Sequence, residues 1–199
     1  MSTFTIEGGF RLNGELEPQG AKNEALQILC ATLLTNQSVL VENVPEISDV
    51  LKLIDILRNM GVEVERITKG EFRFNASNVN IDFLKSPDYA KKASSLRGSI
   101  MVIGPLLARF GKGFIPQPGG DKIGRRRVDT HFIGLQKLGA TFKFDTSMQW
   151  YSVTASKLKG AYMLLDEASV TGTANILMAA VLAEGTTTIY NAACEPYLQ

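Results

Sequence analysis

With 199 residues, the chain is long enough for one large domain or two small ones around a substantial buried core. Its 45% hydrophobic and 21% charged residues are ordinary for a soluble globular protein. Lys and Arg total 21 against 20 Asp and Glu, so the overall charge argues against nucleic acid or an anionic membrane as a partner.

The N-terminus and the apolar runs bear on cellular location. Residues 1–7 lack the basic and apolar regions of a signal peptide. The longest apolar run, residues 100–108, is far shorter than the roughly 20 residues that a membrane-spanning helix requires. The sequence therefore predicts a cytoplasmic protein that does not enter a membrane.

The two cysteines, Cys30 and Cys194, have neither metal-ligand nor CxxC spacing, so we expect no disulfide framework. Cys30 lies on the apolar stripe of a predicted helix with Leu26, Leu29 and Leu33. This position favours a buried thiol over a reactive one. No metal or other cofactor is expected for this chain.

A repeated order of helices and strands begins with this first helix. The alternating residues 38–44 predict a strand, and Ser48 or Asp49 can cap a second helix. A strand over residues 62–66 follows, and residues 71–75 complete a hairpin. The first unit therefore contains both helices and paired strands.

The same order recurs about 75 residues later. It has a helix over residues 96–110, a turn at 111–113, a helix from about 129 to 140 and a strand over 141–144. A third unit starts with a helix over 173–183 and a strand over 186–190, and then stops at Gln199 without a second helix. We expect this unit to be incomplete, although a natural terminus after a short strand is the alternative.

Helices that alternate with strands and hairpins predict an α/β or α+β domain, with sheets packed on buried helices. Residues 174–183 are apolar almost all round, so this helix should be central.

Lys22 and Asn23 stand at the start of the first predicted helix, directly after Gly20 and Ala21. A cation at a helix N-terminus opposes the helix dipole, and a bound anion would compensate for it. The sequence therefore allows a phosphate or carboxylate site here, with a solvated lysine as the alternative.

Residues 118–129 combine glycines with a concentration of positive charge at Lys122, Arg125, Arg126 and Arg127. One guanidinium group can donate two parallel hydrogen bonds to phosphate oxygens, so a phosphate-bearing ligand fits this segment. A nucleic acid backbone is disfavoured because no aromatic residues interleave the cluster. The alternative interpretation is a solvated basic loop that binds no ligand.

Other polar residues near predicted helix starts admit two interpretations each. Asp129 is predicted to cap the helix that follows, with direct ligand contact as the alternative, and His131 is predicted to form structural hydrogen bonds rather than to act in catalysis. Arg97 is either solvated or directed into a cleft. Residues 169–173 offer hydroxyl and N–H groups before the central helix, and capping explains them as well as ligand contact does.

Taken in order, several short segments resemble the enolpyruvyl transferase family, in particular its UDP-N-acetylglucosamine branch. The shikimate-3-phosphate branch typically has Ser-Lys-Ser where this chain has residues 21–23. The matching segments are residues 20–23, 96–100, 118–120, 123–124, 126 with 128–129, 138–140, 169–170 and 182–186.

The resemblance implies a fold of two similar lobes, each an inside-out α/β barrel of three βαβαββ units around buried helices. Residues 1–20 would belong with a second lobe that this chain lacks. Residues 21–199 would form the lobe with the catalytic loop, in units of about 21–90, 91–165 and 166–199, the last one incomplete.

The resemblance also implies a reaction, in which the enolpyruvyl group of phosphoenolpyruvate moves to the 3′-hydroxyl of UDP-N-acetylglucosamine and phosphate is released. This step commits carbon to bacterial peptidoglycan. Lys22, Arg97 and Arg126 would hold anionic oxygens, and Asn23 would hydrogen-bond the substrates. The residues implied to contact the UDP part are Arg126, Arg127, Val128, Asp129, Thr130, Glu167, Ala168, Ser169 and Val170.

The sequence departs from this family at two positions. Many relatives carry lysine where this chain has Glu167, which puts a direct diphosphate contact in doubt. Asp121 stands where most relatives have the cysteine that acts as general acid and that fosfomycin alkylates. A carboxylic acid can donate the same proton if its pKa rises from about 4 toward neutrality. We therefore expect a fosfomycin-insensitive enzyme.

Two other functions remain open. One is the shikimate-3-phosphate branch, which Asn23 and the Gly-Gly-Asp121 loop disfavour. The other is a non-catalytic domain that binds a nucleotide sugar or an anion. Because the family's general base and further arginines come from the other lobe, the isolated chain should be inactive.

Overall fold

A computed structural model of the chain describes residues 3–116 and 127–199. Within these ranges the helices are α1 (Lys22–Ala31), α2 (Ser48–Asn59), α3 (Pro87–Ser94), α4 (Ile103–Phe110), α5 (Asp129–Lys137) and α6 (Val170–Ala180). The strands are β1 (Ser38–Val41), β2 (Glu63–Thr68), β3 (Glu71–Asn75), β4 (Lys112–Pro116), β5 (Thr141–Asp145), β6 (Trp150–Thr154), β7 (Tyr162–Leu164) and β8 (Thr188–Tyr190).

Two antiparallel sheets confirm the predicted repeat. The first has the strand order β1-β3-β2 and the second the order β4-β6-β5, so corresponding strands occupy corresponding places. In β3, Phe72 and Phe74 are buried while Arg73 between them is exposed, which is the period-two pattern of a half-buried strand. The predicted α/β (α+β) class is thus confirmed.

The third unit contributes only part of this pattern within residues 166–199. Its helix α6 leads to β8, which pairs in parallel with β7 rather than in an antiparallel sheet. β8 covers only Thr188–Tyr190, so the strand predicted from residue 186 starts two residues too early.

Helix α6 is central, as predicted, and packs against α4, α5 and α1. At its crossing with α4, a Cβ added to Gly104 would lie 2.3 Å from the backbone oxygen of Asn175. No residue with a side chain fits such an approach without displacing a helix. Gly104 therefore sets the distance between the two helices.

Asn175 on α6 is fully buried and its amide inserts into a neighbouring helical segment. The Gly104 N–H donates to Asn175 Oδ1 at 2.7 Å, and Asn175 Nδ2 donates to the Ile100 carbonyl at 3.2 Å. An uninterrupted α-helix would join these same two backbone groups to each other. Asn175 Nδ2 also lies 3.0 Å from Nδ1 of buried His131 on α5, so one amide links α4, α5 and α6.

This insertion explains why one predicted helix is divided. Instead of a single helix over residues 96–110, Arg97–Val102 is a 3₁₀ helix and α4 starts at Ile103. Pro105 contributes as well, because it has no N–H to donate to the carbonyl four residues earlier. The predicted turn at 111–113 is also too long, since Gly111 ends α4 and Lys112 already begins β4.

Several predicted helix ends were wrong by a few residues. Helix α6 starts at Val170 instead of 173, because the Ser169 hydroxyl caps it by accepting from the Gly172 N–H at 3.2 Å. Ser48 and Asp49 lie inside α2, whose cap position is Ile47. Helix α3 and strands β6 and β7 were not predicted.

Cys30 is buried, as predicted, and burial raises the pKa of its thiol. Residues 3–20 form neither helix nor strand, and almost all their side chains are exposed. Their assignment to another lobe stays a prediction. Among the described residues, no helix has both the length and the apolar character needed to span a membrane.

Acidification is expected to destabilise the fold through His131. Burial, and next the positive charge of Arg97, lower the pKa of His131 from 6.5 to about 4. Between these values the unfolded chain binds a proton that the folded chain does not. The free energy of unfolding should therefore decrease as the pH falls through this window, by up to about 3 kcal/mol. Urea unfolding followed by circular dichroism measures this change.

His131→Gln is the matched control, because glutamine does not titrate. Its free energy of unfolding should decrease less over the same window. Carboxylates whose pKa values are lowered by hydrogen bonds, such as Asp82 and Asp145, contribute equally to both proteins. Equal pH slopes for the two proteins would contradict the assignment to His131.

Candidate functional site

The first helix places Lys22 at the edge of a cleft. A Cβ added to Gly20 would lie 1.9 Å from the Asn43 backbone oxygen, so only glycine lets the chain enter α1 along this path. The cap position, Ala21, offers no side-chain hydrogen bond to the helix end. Lys22 instead forms an ion pair with Asp49 at the start of α2. An anion was predicted to compensate for the positive charge of Lys22, and the carboxylate of Asp49 provides part of that compensation.

Arg97 enters the cleft from the first turn of the 3₁₀ helix. Its Nη2 donates to the Arg127 carbonyl at 2.9 Å, which ties this helix to the segment that leads into α5. Of the two interpretations of Arg97, the structure supports the one that directs it into a cleft.

The cleft has a volume of about 190 Å³ and is lined by α1, α2, the 3₁₀ helix, α5 and α6. Its polar lining residues include Lys22, Asn23, Asp49, Lys52, Arg97, His131 and Thr171. Typical sites for drug-sized ligands measure roughly 300–1,000 Å³. A ligand as large as a nucleotide sugar would thus extend beyond these residues.

Positive charge dominates the described lining of the cleft. The described lining includes three cations, Lys22, Lys52 and Arg97, and one carboxylate, Asp49, which lies 3.8 Å from Lys52 Nζ. His131 is neutral near pH 7 because its pKa is about 4. The cleft is therefore suited to an anion.

A second polar cluster lies beside the cleft at the start of α5. Arg127 bonds to Asp129 at 2.7 Å and to Asp166 at 3.0 Å, and these two carboxylates raise the pKa of Arg127. Thr130 donates to Glu167 at 3.2 Å. The predicted cap role of Asp129 is wrong, because Val128 holds the cap position and the Asp129 side chain pairs with Arg127.

The structure divides the predicted site residues into two groups. Lys22, Asn23, Arg97 and Val128 line the cleft. The residues of the neighbouring segments are Arg127, Asp129, Thr130, Glu167, Ala168, Ser169 and Val170. Asp121 and Arg126, together with the rest of residues 117–126, lie outside the described residues.

Sequence reasoning did not assign Asp49 or Lys52 to a site, whereas Thr171 belongs to residues 169–173, for which ligand contact was one of two interpretations. Asp49 was interpreted only as a helix cap, and its pairing with Lys22 depends on the packing of α1 against α2. Nothing in the local sequence indicated that Lys52 belongs to a site. It lies one helical turn after Asp49 and therefore on the same side of α2. Thr171 was expected before the central helix, whereas it lies in that helix's first turn.

Curated proteins from several bacteria are similar to this chain over its whole length. The UDP-N-acetylglucosamine 1-carboxyvinyltransferases of Bacteroides thetaiotaomicron and Porphyromonas gingivalis are 64% and 63% identical to it over 199 residues. The enzyme of the same name from Borreliella burgdorferi is 45% identical over 200 residues. The chain spans 46%, 46% and 45% of these three relatives.

Two solved structures have a fold similar to that of this chain. The enolpyruvyl transferase NikO from Streptomyces tendae superposes with a TM-score of 0.73 at 20% identity, over 96% of this chain and 43% of NikO. The EPSP synthase of Acinetobacter baumannii gives 0.67 at 23% identity, over 93% of this chain and 42% of that protein. The family model of EPSP synthase (3-phosphoshikimate 1-carboxyvinyltransferase) matches residues 6–199, and the chain therefore belongs to that family.

Proposed function

We propose that this chain is part of an enzyme that transfers the enolpyruvyl group of phosphoenolpyruvate to the 3′-hydroxyl of UDP-N-acetylglucosamine. The observation that carries the proposal is a cationic cleft formed by Lys22 and Arg97 in a chain 64% identical to an enzyme of that name. The remaining part of such an enzyme would be a partner of this chain. A cytoplasmic location and a role in the first committed step of peptidoglycan synthesis belong to the same proposal.

The charge of the cleft fits the chemistry of this transfer. The 3′-hydroxyl oxygen loses its proton to a general base and bonds to C2 of phosphoenolpyruvate while a proton from an acid adds to the C3 methylene, and a tetrahedral intermediate forms. Loss of a C3 proton and of phosphate from C2 then restores the double bond. Lys22 and Arg97 would bind the carboxylate or phosphate oxygens throughout, which stabilises charge where it changes.

The second polar cluster, at the start of α5, would bind the UDP part of the acceptor. Arg127 presents a guanidinium beside the cleft, whereas Glu167 presents a carboxylate that already accepts from Thr130. A carboxylate repels a diphosphate, so we assign the diphosphate contact to Arg127 and Arg126 rather than to Glu167. The acceptor would extend out of the 190 Å³ cleft toward this cluster.

Asp121 is the proposed donor of the proton to C3. A carboxylic acid and a thiol both lose a proton to carbon in this step, but a carboxylate is a poor nucleophile toward fosfomycin compared with a thiolate. The proposed enzyme would therefore turn over without the cysteine and resist that inhibitor.

Calorimetry with UDP-N-acetylglucosamine and with shikimate 3-phosphate tests the acceptor. We expect the 199-residue chain to bind UDP-N-acetylglucosamine, and Arg127→Ala to weaken binding about tenfold because one charge-assisted contact is lost. Lys157→Ala is the matched control, since Lys157 pairs with Glu184 at 2.7 Å away from the cleft lining. Preferential binding of shikimate 3-phosphate would refute the proposed acceptor.

Substitution of Asp121 in the full-length enzyme tests the proton donor. Asp121→Ala should nearly abolish turnover, because no other group is assigned to protonate C3. Asp121→Cys should retain turnover and become sensitive to fosfomycin. A steady-state assay of phosphate release with and without fosfomycin measures both effects. Wild-type turnover in the alanine variant would remove Asp121 from the mechanism.

The 199-residue chain by itself should release no phosphate from the two substrates. It spans 46% of its curated relatives, and the general base implied by the family comes from the other lobe. A malachite green assay, with the full-length enzyme as positive control, measures the release. Turnover by the isolated chain would show that its own residues suffice.

A further inference from the structure

The buried hydrogen bonds around His131 determine which ring nitrogen carries its proton. The Gly104 N–H can only donate, so the Asn175 side-chain oxygen must face it, at 2.7 Å. The Ile100 carbonyl can only accept, so the Asn175 nitrogen must face that group, at 3.2 Å. These two backbone partners orient the amide independently of the histidine.

The second N–H of the same amide points to His131 Nδ1 at 3.0 Å. Nδ1 must therefore accept, and the ring proton of neutral His131 must reside on Nε2. Protonation of Nδ1 would set two donors against each other in a buried position, with Asn175 fully buried and His131 only 3% exposed. The packing thus selects the Nε2–H tautomer.

Nε2 lies 3.3 Å from the Thr171 hydroxyl oxygen. Since Nε2–H donates, Thr171 accepts, and the hydroxyl hydrogen of Thr171 is left available to donate to a different acceptor. Thr171 lines the cleft together with Lys22 and Arg97, the two cations that favour an anion there.

We propose that His131 is a positioning residue that turns the Thr171 hydroxyl into a hydrogen-bond donor for a phosphate oxygen in the cleft. In this chain of hydrogen bonds, the Asn175 N–H donates to His131 Nδ1, His131 Nε2–H donates to the Thr171 oxygen, and the Thr171 hydroxyl donates to the ligand. This inference rests on the proposed function for the identity of the ligand, which is phosphoenolpyruvate or the diphosphate of UDP-N-acetylglucosamine. Thr171 would contact the ligand directly, and His131 would act through it.

The tautomer can be read directly by NMR, because His131 is the only histidine of the chain. Two-bond ¹H–¹⁵N correlation spectra of the wild-type chain near pH 7 should show a protonated Nε2 and an unprotonated Nδ1. A protonated Nδ1 in the neutral ring would overturn the proposal. This measurement requires neither a variant nor a ligand.

Thr171→Val and Thr171→Ser test the donor. Valine keeps the shape but loses the hydroxyl, and it should weaken binding of at least one of the two substrates about tenfold, while serine should stay within about twofold of wild type. Calorimetry with each substrate separately identifies which phosphate is contacted. Unchanged affinity of Thr171→Val for both substrates would overturn the proposal.

A double-mutant cycle separates positioning from a structural role. His131→Phe keeps a ring in place but cannot donate to Thr171, so the loss caused by Thr171→Val should shrink to about twofold or less in that background. Serine at 171 should likewise lose its advantage over valine there. An equal loss in both backgrounds would show that His131 does not orient the hydroxyl.

Inorganic pyrophosphate serves as a probe that does not depend on the proposed function. If the wild-type chain binds pyrophosphate but neither substrate, the proposed function fails, and the valine and serine variants still decide the role of Thr171. If the chain binds none of the three compounds, both the proposed function and this inference are refuted.

Discussion

The side-chain amide of Asn175 holds together the helices that form the cleft. It accepts from the buried Gly104 N–H, which would cost about 1–3 kcal/mol if left unpaired in this arrangement, and it donates to the Ile100 carbonyl, which also accepts from the Ile103 N–H. In doing so it stops the α-helix upstream of Gly104 and leaves a 3₁₀ turn that starts with Arg97. The position of a cationic side chain in the cleft thus depends on one neutral amide in the core.

The same amide connects the core to the cleft through a histidine that stays neutral. A charged imidazole in this place would repel Arg97 and lose the hydrogen bond from Asn175. Burial therefore serves two purposes here, since it stabilises the helix packing and keeps one ring nitrogen as an acceptor. A surface histidine with a pKa near 6.5 would exchange its proton at physiological pH and hold no fixed orientation.

Sequence periodicity predicted the elements whose signal is local. The alternation around Phe72 and the apolar stripe of α1 were sufficient for a strand and a helix, and the repeat predicted the two matching sheets. Lys22 and Arg97, which were predicted to hold anionic oxygens, line the same cleft, but their ligands stay predictions. The divided helix was only partly predictable, because Pro105 is a local signal for an interruption but Asn175, the other cause, is 71 residues away from Gly104. Asp49 was missed for the same reason, since only tertiary packing brings it to Lys22.

The ion pair between Lys22 and Asp49 makes the cleft selective among anions before any substrate arrives. The two side chains are 45% and 31% exposed, and an ion pair of this kind contributes up to about 1 kcal/mol. Chloride or another anion that contacts Lys22 alone must displace a tethered carboxylate, and it loses up to about fivefold in affinity. A ligand that also contacts Arg97 and Thr171 offsets this loss. The cleft therefore carries its own counter-ion, so an anion that contacts several lining residues is favoured over one that contacts Lys22 alone.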